Sequence, residues 1–215
     1  MNRPRVLLAD DHPLVLAALR SLLESECEVV GAVSDGRALV EAASRLEPEV
    51  IVLDISLPLL NGIDAARQIK KEQPETKILF LTMHANPAYL KEALITGATG
   101  YLLKTSAREE LLGALRDVVR NRIHVSPGFG EEIVEQFELH PRSFAGSQSV
   151  LTGRQREILQ LVAEGRTAKE IAGILNVSVQ TVAFHKHQIM EKLGLRTTAE
   201  LTKYAISEGL VSTEI

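Results

Sequence analysis

Five polar residues of this 215-residue chain stand where short apolar runs end. Asp10 and Asp11 follow Val6-Leu7-Leu8-Ala9, and Asp54 follows Val50-Ile51-Val52-Leu53. Thr82 follows Ile78-Leu79-Phe80-Leu81, and Lys104 follows Tyr101-Leu102-Leu103. Such runs read as strands buried on both faces of a parallel sheet. In those sheets ligands sit at the carboxyl ends of the strands. Three carboxylates brought to one edge repel each other unless a proton or a cation offsets them. Mg²⁺, which takes a few carboxylates plus waters and a phosphate, is the simple solution. Asp54, alone at the end of the central run, is the best-placed nucleophile, since carboxylates form acyl phosphates. The Thr82 hydroxyl can donate to a phosphoryl oxygen, and Lys104 supplies a point charge. Each residue also has a plainer reading: Asp11 or Asp54 as a cap, Thr82 as an ordinary strand end, Lys104 as a solvated lysine. Jointly the plainer readings fail, because four strands would each have to place a matching polar group at one edge by chance.

The elements that must position these residues alternate along the chain. Arg5 to Ala9 is a strand, and Pro13 opens a helix through Leu14, Leu19, Leu22 and Leu23. A second strand, Glu28 to Val33, leads through Asp35-Gly36 into a helix that Pro48 stops. After Asp54, Pro58 and Asn61-Gly62 form a loop in which Gly62 suits a positive φ or a close backbone approach. Then come a helix to Lys71, a strand from Lys77, a helix from Pro87 to Gly97 and a strand from Gly100. A last helix follows, with Ser106 as its cap and Glu109 completing a capping box. Five strands alternating with five helices make an α/β, flavodoxin-like, doubly wound five-stranded parallel sheet of order 2-1-3-4-5. In that order strands one and three flank the switch point, so the three acids converge in one cleft beside Thr82 and Lys104.

Composition is that of an ordinary water-soluble protein, 45% hydrophobic and 24% charged. No apolar run reaches the roughly 18 residues that span a bilayer, and no apolar leader precedes the first strand, so a cytoplasmic location is expected. The lone cysteine, Cys27, excludes an internal disulfide and reads as a small buried hydrophobe. The net charge of −4 is uneven: residues 1–149 carry −5 and residues 150–215 carry +1, which suggests two regions with different partners.

Between the two regions, Ile133, Val134 and Phe137 suggest one short amphipathic helix, and the stretch from His140 to Ser149 reads as a tether. Beyond it, Thr152, Thr167 and Ser178 are cap candidates for three helices, and a fourth runs from Thr198 to Ser207. A short helix, a tight turn at Asn176-Val177-Ser178 and a longer helix make a helix-turn-helix pattern. So small a region needs Val182, Ile189 and Leu193 for its core. That leaves Gln180, Thr181, Ala183, Phe184, Lys186, His187 and Lys192 for an outer face able to meet phosphates and base edges.

Asp10-Asp11, Asp54 with Pro58 and Gly62, Thr82, and Tyr101-Leu102-Leu103-Lys104 resemble a bacterial two-component receiver domain. Leu151-Thr152-x-Arg154, Ala163-Glu164-Gly165, Lys169-Glu170-Ile171-Ala172, Val177-Ser178-x-x-Thr181-Val182-x-x-His185 and Lys192-Leu193-Gly194 resemble a LuxR-type helix-turn-helix. Together the halves are similar to response regulators of the NarL/FixJ class. The resemblance implies a receiver over residues 1–122, a linker with a short helix over 123–149 and a four-helix DNA-binding domain over 150–215. It implies that Asp54 takes a phosphoryl group from a sensor histidine kinase. Asp11, Asp54 and the Ser56 carbonyl would hold Mg²⁺, with Asp10 acting through water. Thr82 and Tyr101 would be the switch pair, Tyr101 turning inward behind Thr82. Gln180, Thr181, Phe184, Lys186, His187 and Lys192 would meet the major groove of double-stranded DNA, and the last helix would serve a homodimer formed on phosphorylation.

Departures from the pattern are Met83 after the switch threonine, Thr105 after the lysine, Gln155 for a usual glutamate and Ala183 for a usual basic residue. The expectation is a phosphorylation-controlled transcription regulator and not an enzyme. The alternatives are a DNA binder whose receiver only dimerises, and a Mg²⁺-dependent phosphohydrolase. Asp54-Ile55-Ser56 lacks the second carboxylate that such hydrolases use as acid and base.

Overall fold

The computed structural model describes residues 3–140 and 150–211, which fall into two compact units. The N-terminal unit contains β1 (Arg5–Ala9), α1 (Pro13–Leu23), β2 (Glu28–Val33), α2 (Gly36–Leu46), β3 (Val50–Leu53) and α3 (Gly62–Glu72). It continues with β4 (Lys77–Thr82), α4 (Pro87–Thr96), β5 (Gly100–Leu103), α5 (Arg108–Val119), β6 (His124–Val125) and α6 (Glu131–Leu139). All strand pairs are parallel, in the order β2-β1-β3-β4-β5-β6. The period of two along each strand splits the apolar runs between two layers. Val6, Leu8, Val50, Val52, Leu79 and Leu81 pack with Leu19 and Leu23 of α1 and with Leu111, Leu115 and Val118 of α5. Helices α2, α3 and α4 pack side by side in the second helical layer.

The expected five strands are six. Residues His124 and Val125, expected within the linker, add β6 to the sheet, and the short helix expected around Ile133, Val134 and Phe137 is α6, which packs on α4. The physical reason is the exposed edge that β5 would otherwise leave. His124 N–H donates to the Thr99 carbonyl at 2.9 Å, Ser126 N–H to that of Tyr101 at 3.0 Å, and Ser126 Oγ accepts from Leu103 N–H at 2.9 Å. A two-residue strand is too short to leave a periodic signature. The same turn explains why Ser106 does not cap α5: its hydroxyl pairs with Ser126 Oγ at 3.1 Å, and Ala107 takes the N-cap position without a side-chain bond. Most of the expected tether, residues 141–149, lies outside the described residues.

Among the described residues the C-terminal unit has four helices: α7 (Gly153–Ala163), α8 (Ala168–Leu175), α9 (Val179–Leu193) and α10 (Thr198–Ser207). Thr152, Thr167 and Thr197 close capping boxes with Gln155, Glu170 and Glu200, and Ser178 caps α9 by accepting from Thr181 N–H. Each such cap stabilises its helix by about 1 kcal/mol. Ile158, Leu161, Ile171, Leu175, Val182, Ile189, Leu201 and Ala205 form one buried core. Asn176 takes a left-handed backbone, φ 51°, in the turn between α8 and α9.

Candidate functional site

Strand register builds the cleft. Ala9 pairs with Leu53 and Thr82 with Leu103, so the next residues, Asp10, Asp54 and Lys104, leave the sheet together. Their backbones stay tied to it: Asp10 N–H donates to the Val33 carbonyl, Asp54 N–H to that of Ala9 and Lys104 N–H to that of Thr82. Asp10, Asp54 and Thr82 are 1%, 5% and 0% exposed. Lys104 Nζ lies 2.7 Å from Asp10 Oδ2 and 2.7 Å from Asp54 Oδ2. Burial alone would pull the lysine's pKa down, but its hydrogen bonds to Asp10 and Asp54 and their charges overcome that and raise it. The remaining oxygens are also held, Asp54 Oδ1 by Ile55 N–H at 2.6 Å and Asp10 Oδ1 by His12 N–H at 3.0 Å.

Asp11 is not used as a cap. Helix α1 takes His12 at its N-cap position, with no side-chain cap bond. Asp11 Oδ1 is sealed from solvent and accepts no well-formed hydrogen bond, although His12 Nδ1 is 2.8 Å away. Ligand atoms of Asp10, Asp11 and His12 all lie within 4.8 Å of one another. The Asp11 oxygen, close to the Asp10 carboxylate and the His12 imidazole, is compatible with a hard divalent cation.

Gly62 is there for close approach. A Cβ on it would collide with the Asp54 carbonyl oxygen. The loop after Asp54 folds back so tightly that Gly62 N–H donates to the Ile55 carbonyl at 2.8 Å.

Thr82 and Tyr101 meet through His84, a residue that no sequence signal singled out. Thr82 Oγ1 accepts from His84 N–H at 3.3 Å, and the Tyr101 hydroxyl donates to the His84 carbonyl at 2.6 Å. The His84 imidazole pairs with Ser56 Oγ at 2.8 Å and lies against Tyr89, ring centroids 4.9 Å apart. Tyr101 already points inward, 1% exposed, between Phe80 and Phe129. Burial above all pushes its phenol well above the ordinary tyrosine range. Met83 is exposed. No peptide bond among the described residues is cis, so Lys104–Thr105 is trans.

On α9, Gln180, Phe184 and His187 share the outward face. At about 100° per residue, Lys186 and Lys192 fall about 120° to either side of it. Lys186 Nζ donates to Thr198 Oγ1 and Lys192 Nζ to Gln155 Oε1, both at 2.9 Å. Thr181 Oγ1 pairs with the capping Ser178 hydroxyl at 2.9 Å. Of the six residues expected to meet DNA, three are thus displayed together and three are engaged beside them.

The chain matches two family models, the response regulator receiver domain over residues 6–116 and the LuxR family of bacterial regulatory proteins over residues 149–205. It is 36% identical to the transcriptional regulatory protein MctR of Rhizobium johnstonii, over 97% of this chain and 95% of that one. A solved structure of the Salmonella typhimurium RcsB response regulator, described for its conformational dynamism in DNA interaction, aligns with a TM-score of 0.63 and 32% identity, covering 97% of this chain and 99% of that one. RcsB of Salmonella enterica serovar Typhimurium bound to promoter rprA in the presence of the phosphomimetic BeF₃⁻ aligns with a TM-score of 0.58 and 31% identity, covering 96% and 99%. With the acids, the threonine and the lysine gathered at one sheet edge and a helix-turn-helix in the second unit, the chain belongs to the two-component response regulators of the NarL/FixJ type, which pair a receiver domain with a LuxR-type DNA-binding domain.

Proposed function

We propose that the chain is switched between two DNA-binding states by phosphorylation of Asp54. The observation that carries this reading is the Lys104 ammonium held at 2.7 Å from both Asp10 and Asp54. A cation pinned at that point neutralises negative charge where an anionic phosphoryl group would arrive. An Asp54 carboxylate oxygen attacks phosphorus, the P–N bond of a kinase phosphohistidine breaks, and the imidazole nitrogen keeps the electron pair. Lys104 then faces the new acyl phosphate, and Thr82, which only accepts from His84 N–H, turns its own hydroxyl proton toward a phosphoryl oxygen. Asp11, Asp54 and the Ser56 carbonyl would hold Mg²⁺, with Asp10 through water. When bound, the ion supplies charge neutralisation between carboxylates and phosphate. Phosphorylation shifts a pre-existing equilibrium toward a homodimer whose α9 helices enter successive major grooves, about one helical turn apart.

The test is intact-mass measurement after incubation with Mg²⁺ and a small acyl-phosphate donor, for wild type and Asp54→Asn. One phosphoryl adduct on wild type, absent from Asp54→Asn and from samples without Mg²⁺, is the expected result. A folded, Mg²⁺-binding protein that gains no adduct would leave a phosphorylation-independent DNA binder. Rapid release of inorganic phosphate over many cycles would point to a phosphohydrolase.

A further inference from the structure

Three apolar side chains of α9 are exposed. Val179 and Phe184 are 43% and 58% exposed, and Ala183 is exposed beside them. Gln180 and His187 stand between the Phe184 ring and the Ala183–Val179 pair. The strong cations lie on the flanks, with their ammonium groups bonded to Thr198 and Gln155. A face used only against phosphates would carry its positive charge at the centre. A phenyl ring left in water gains from any apolar surface that covers it. The phosphates and sugars that line the major groove are polar, but each thymine presents a C5-methyl group there. The small Ala183, about 100° round the helix from Phe184, adds no bulk to this side of α9. The His185 ring, 5.6 Å from the Phe184 ring and edge-on to it, limits how the phenyl can turn.

We propose that Phe184 is a specificity-determining residue that packs on thymine methyl groups in the operator, so that the chain selects sites by a hydrocarbon contact rather than by a charged side chain at this position. The proposal rests on the DNA-binding reading of α9. It adds which chemical group on the DNA the helix recognises and which residue recognises it.

The test uses the full chain with Mg²⁺ and an acyl-phosphate donor. Duplexes retained from a randomised pool are sequenced, and each thymine of the recovered half-site is replaced singly by deoxyuridine, which lacks only the methyl group. Affinities are read by fluorescence anisotropy for wild type, Phe184→Ala and Lys186→Ala, each first shown to melt as wild type does. For wild type, one or two replacements per half-site weaken binding about fourfold each, the value of one buried methyl group. In Phe184→Ala those same replacements have no effect. Lys186→Ala weakens thymine and uracil duplexes alike, as a flanking phosphate contact should. The proposal is overturned if no position distinguishes thymine from uracil in wild type, or if Phe184→Ala keeps the full penalty. Altered pairing between copies with that penalty intact would place Phe184 in a protein interface instead. Recovery of no duplex at all would overturn the DNA-binding reading itself, and so is distinguishable from failure of the methyl contact.

Discussion

The Tyr101 hydroxyl donates to the backbone carbonyl of His84 at 2.6 Å, while Thr82 Oγ1 accepts from the N–H of that same residue. The two residues expected to act as a switch are therefore tied through one peptide segment. A move of Thr82 that breaks its His84 bond leaves the segment held by the Tyr101 bond and by the His84 imidazole on Ser56. Tyr101→Phe keeps the ring contacts with Phe80 and Phe129 and leaves a carbonyl unpaired. It should cost about 1–2 kcal/mol of receiver stability, read from the urea midpoint.

Lys104 is the compensating charge for Asp10 and Asp54. Lys104→Ala strands two buried carboxylates and should cost about 3–5 kcal/mol. The pKa of Lys104 is raised in the folded state, so its stabilisation is complete below its unfolded pKa and is lost as pH rises through the folded one. The contribution should hold from neutral pH to about pH 10 and fall above it. Urea midpoints measured against pH should show an alkaline decline in wild type that is smaller in Lys104→Gln. Equal declines would show that the ion pair is not the cause.

Gly62 and Gly113 form a matched pair. Gly62→Ala drives a methyl into the Asp54 carbonyl and should destabilise by about 1–3 kcal/mol while displacing the phosphoacceptor. Gly113 lies within α5, and a methyl group added to it would meet open space, so Gly113→Ala should stabilise by about 0.5–1 kcal/mol. Thermal melting of both variants, with phosphoryl-adduct yield by mass, separates the two outcomes.

The Cys27 thiol is pushed up to about 11, by burial first and then by the Glu26 charge. Its native state should resist alkylation at pH 8 and react once urea unfolds the receiver. Because the folded thiol's pKa is raised, its stabilisation is present below the unfolded value of about 8.5 and fades as pH climbs toward the folded value. Cys27→Ala therefore removes this share of the alkaline decline and leaves those of Lys104 and of the buried Tyr101 phenol.

Much of this molecule follows from local pattern. The buried runs before Asp10, Asp54, Thr82 and Lys104 are unbroken apolar stretches, and the caps at Thr152, Thr167 and Ser178 act within three residues of themselves. Such features are encoded where they act, so strands, helix starts and the convergence of polar residues at one sheet edge were legible in the sequence. What only the tertiary structure decided are bonds between residues far apart in the chain. Ser126 completes an edge for Leu103, and so diverts Ser106 from its helix. His84 joins Ser56, Thr82 and Tyr101 from three separate segments. The side of α9 on which each lysine is engaged depends on Gln155 and Thr198, residues of other helices. Periodicity says which face of an element is buried, but it carries no information about which distant donor meets which acceptor, and that pairing places Lys104 between Asp10 and Asp54 and leaves Phe184 uncovered.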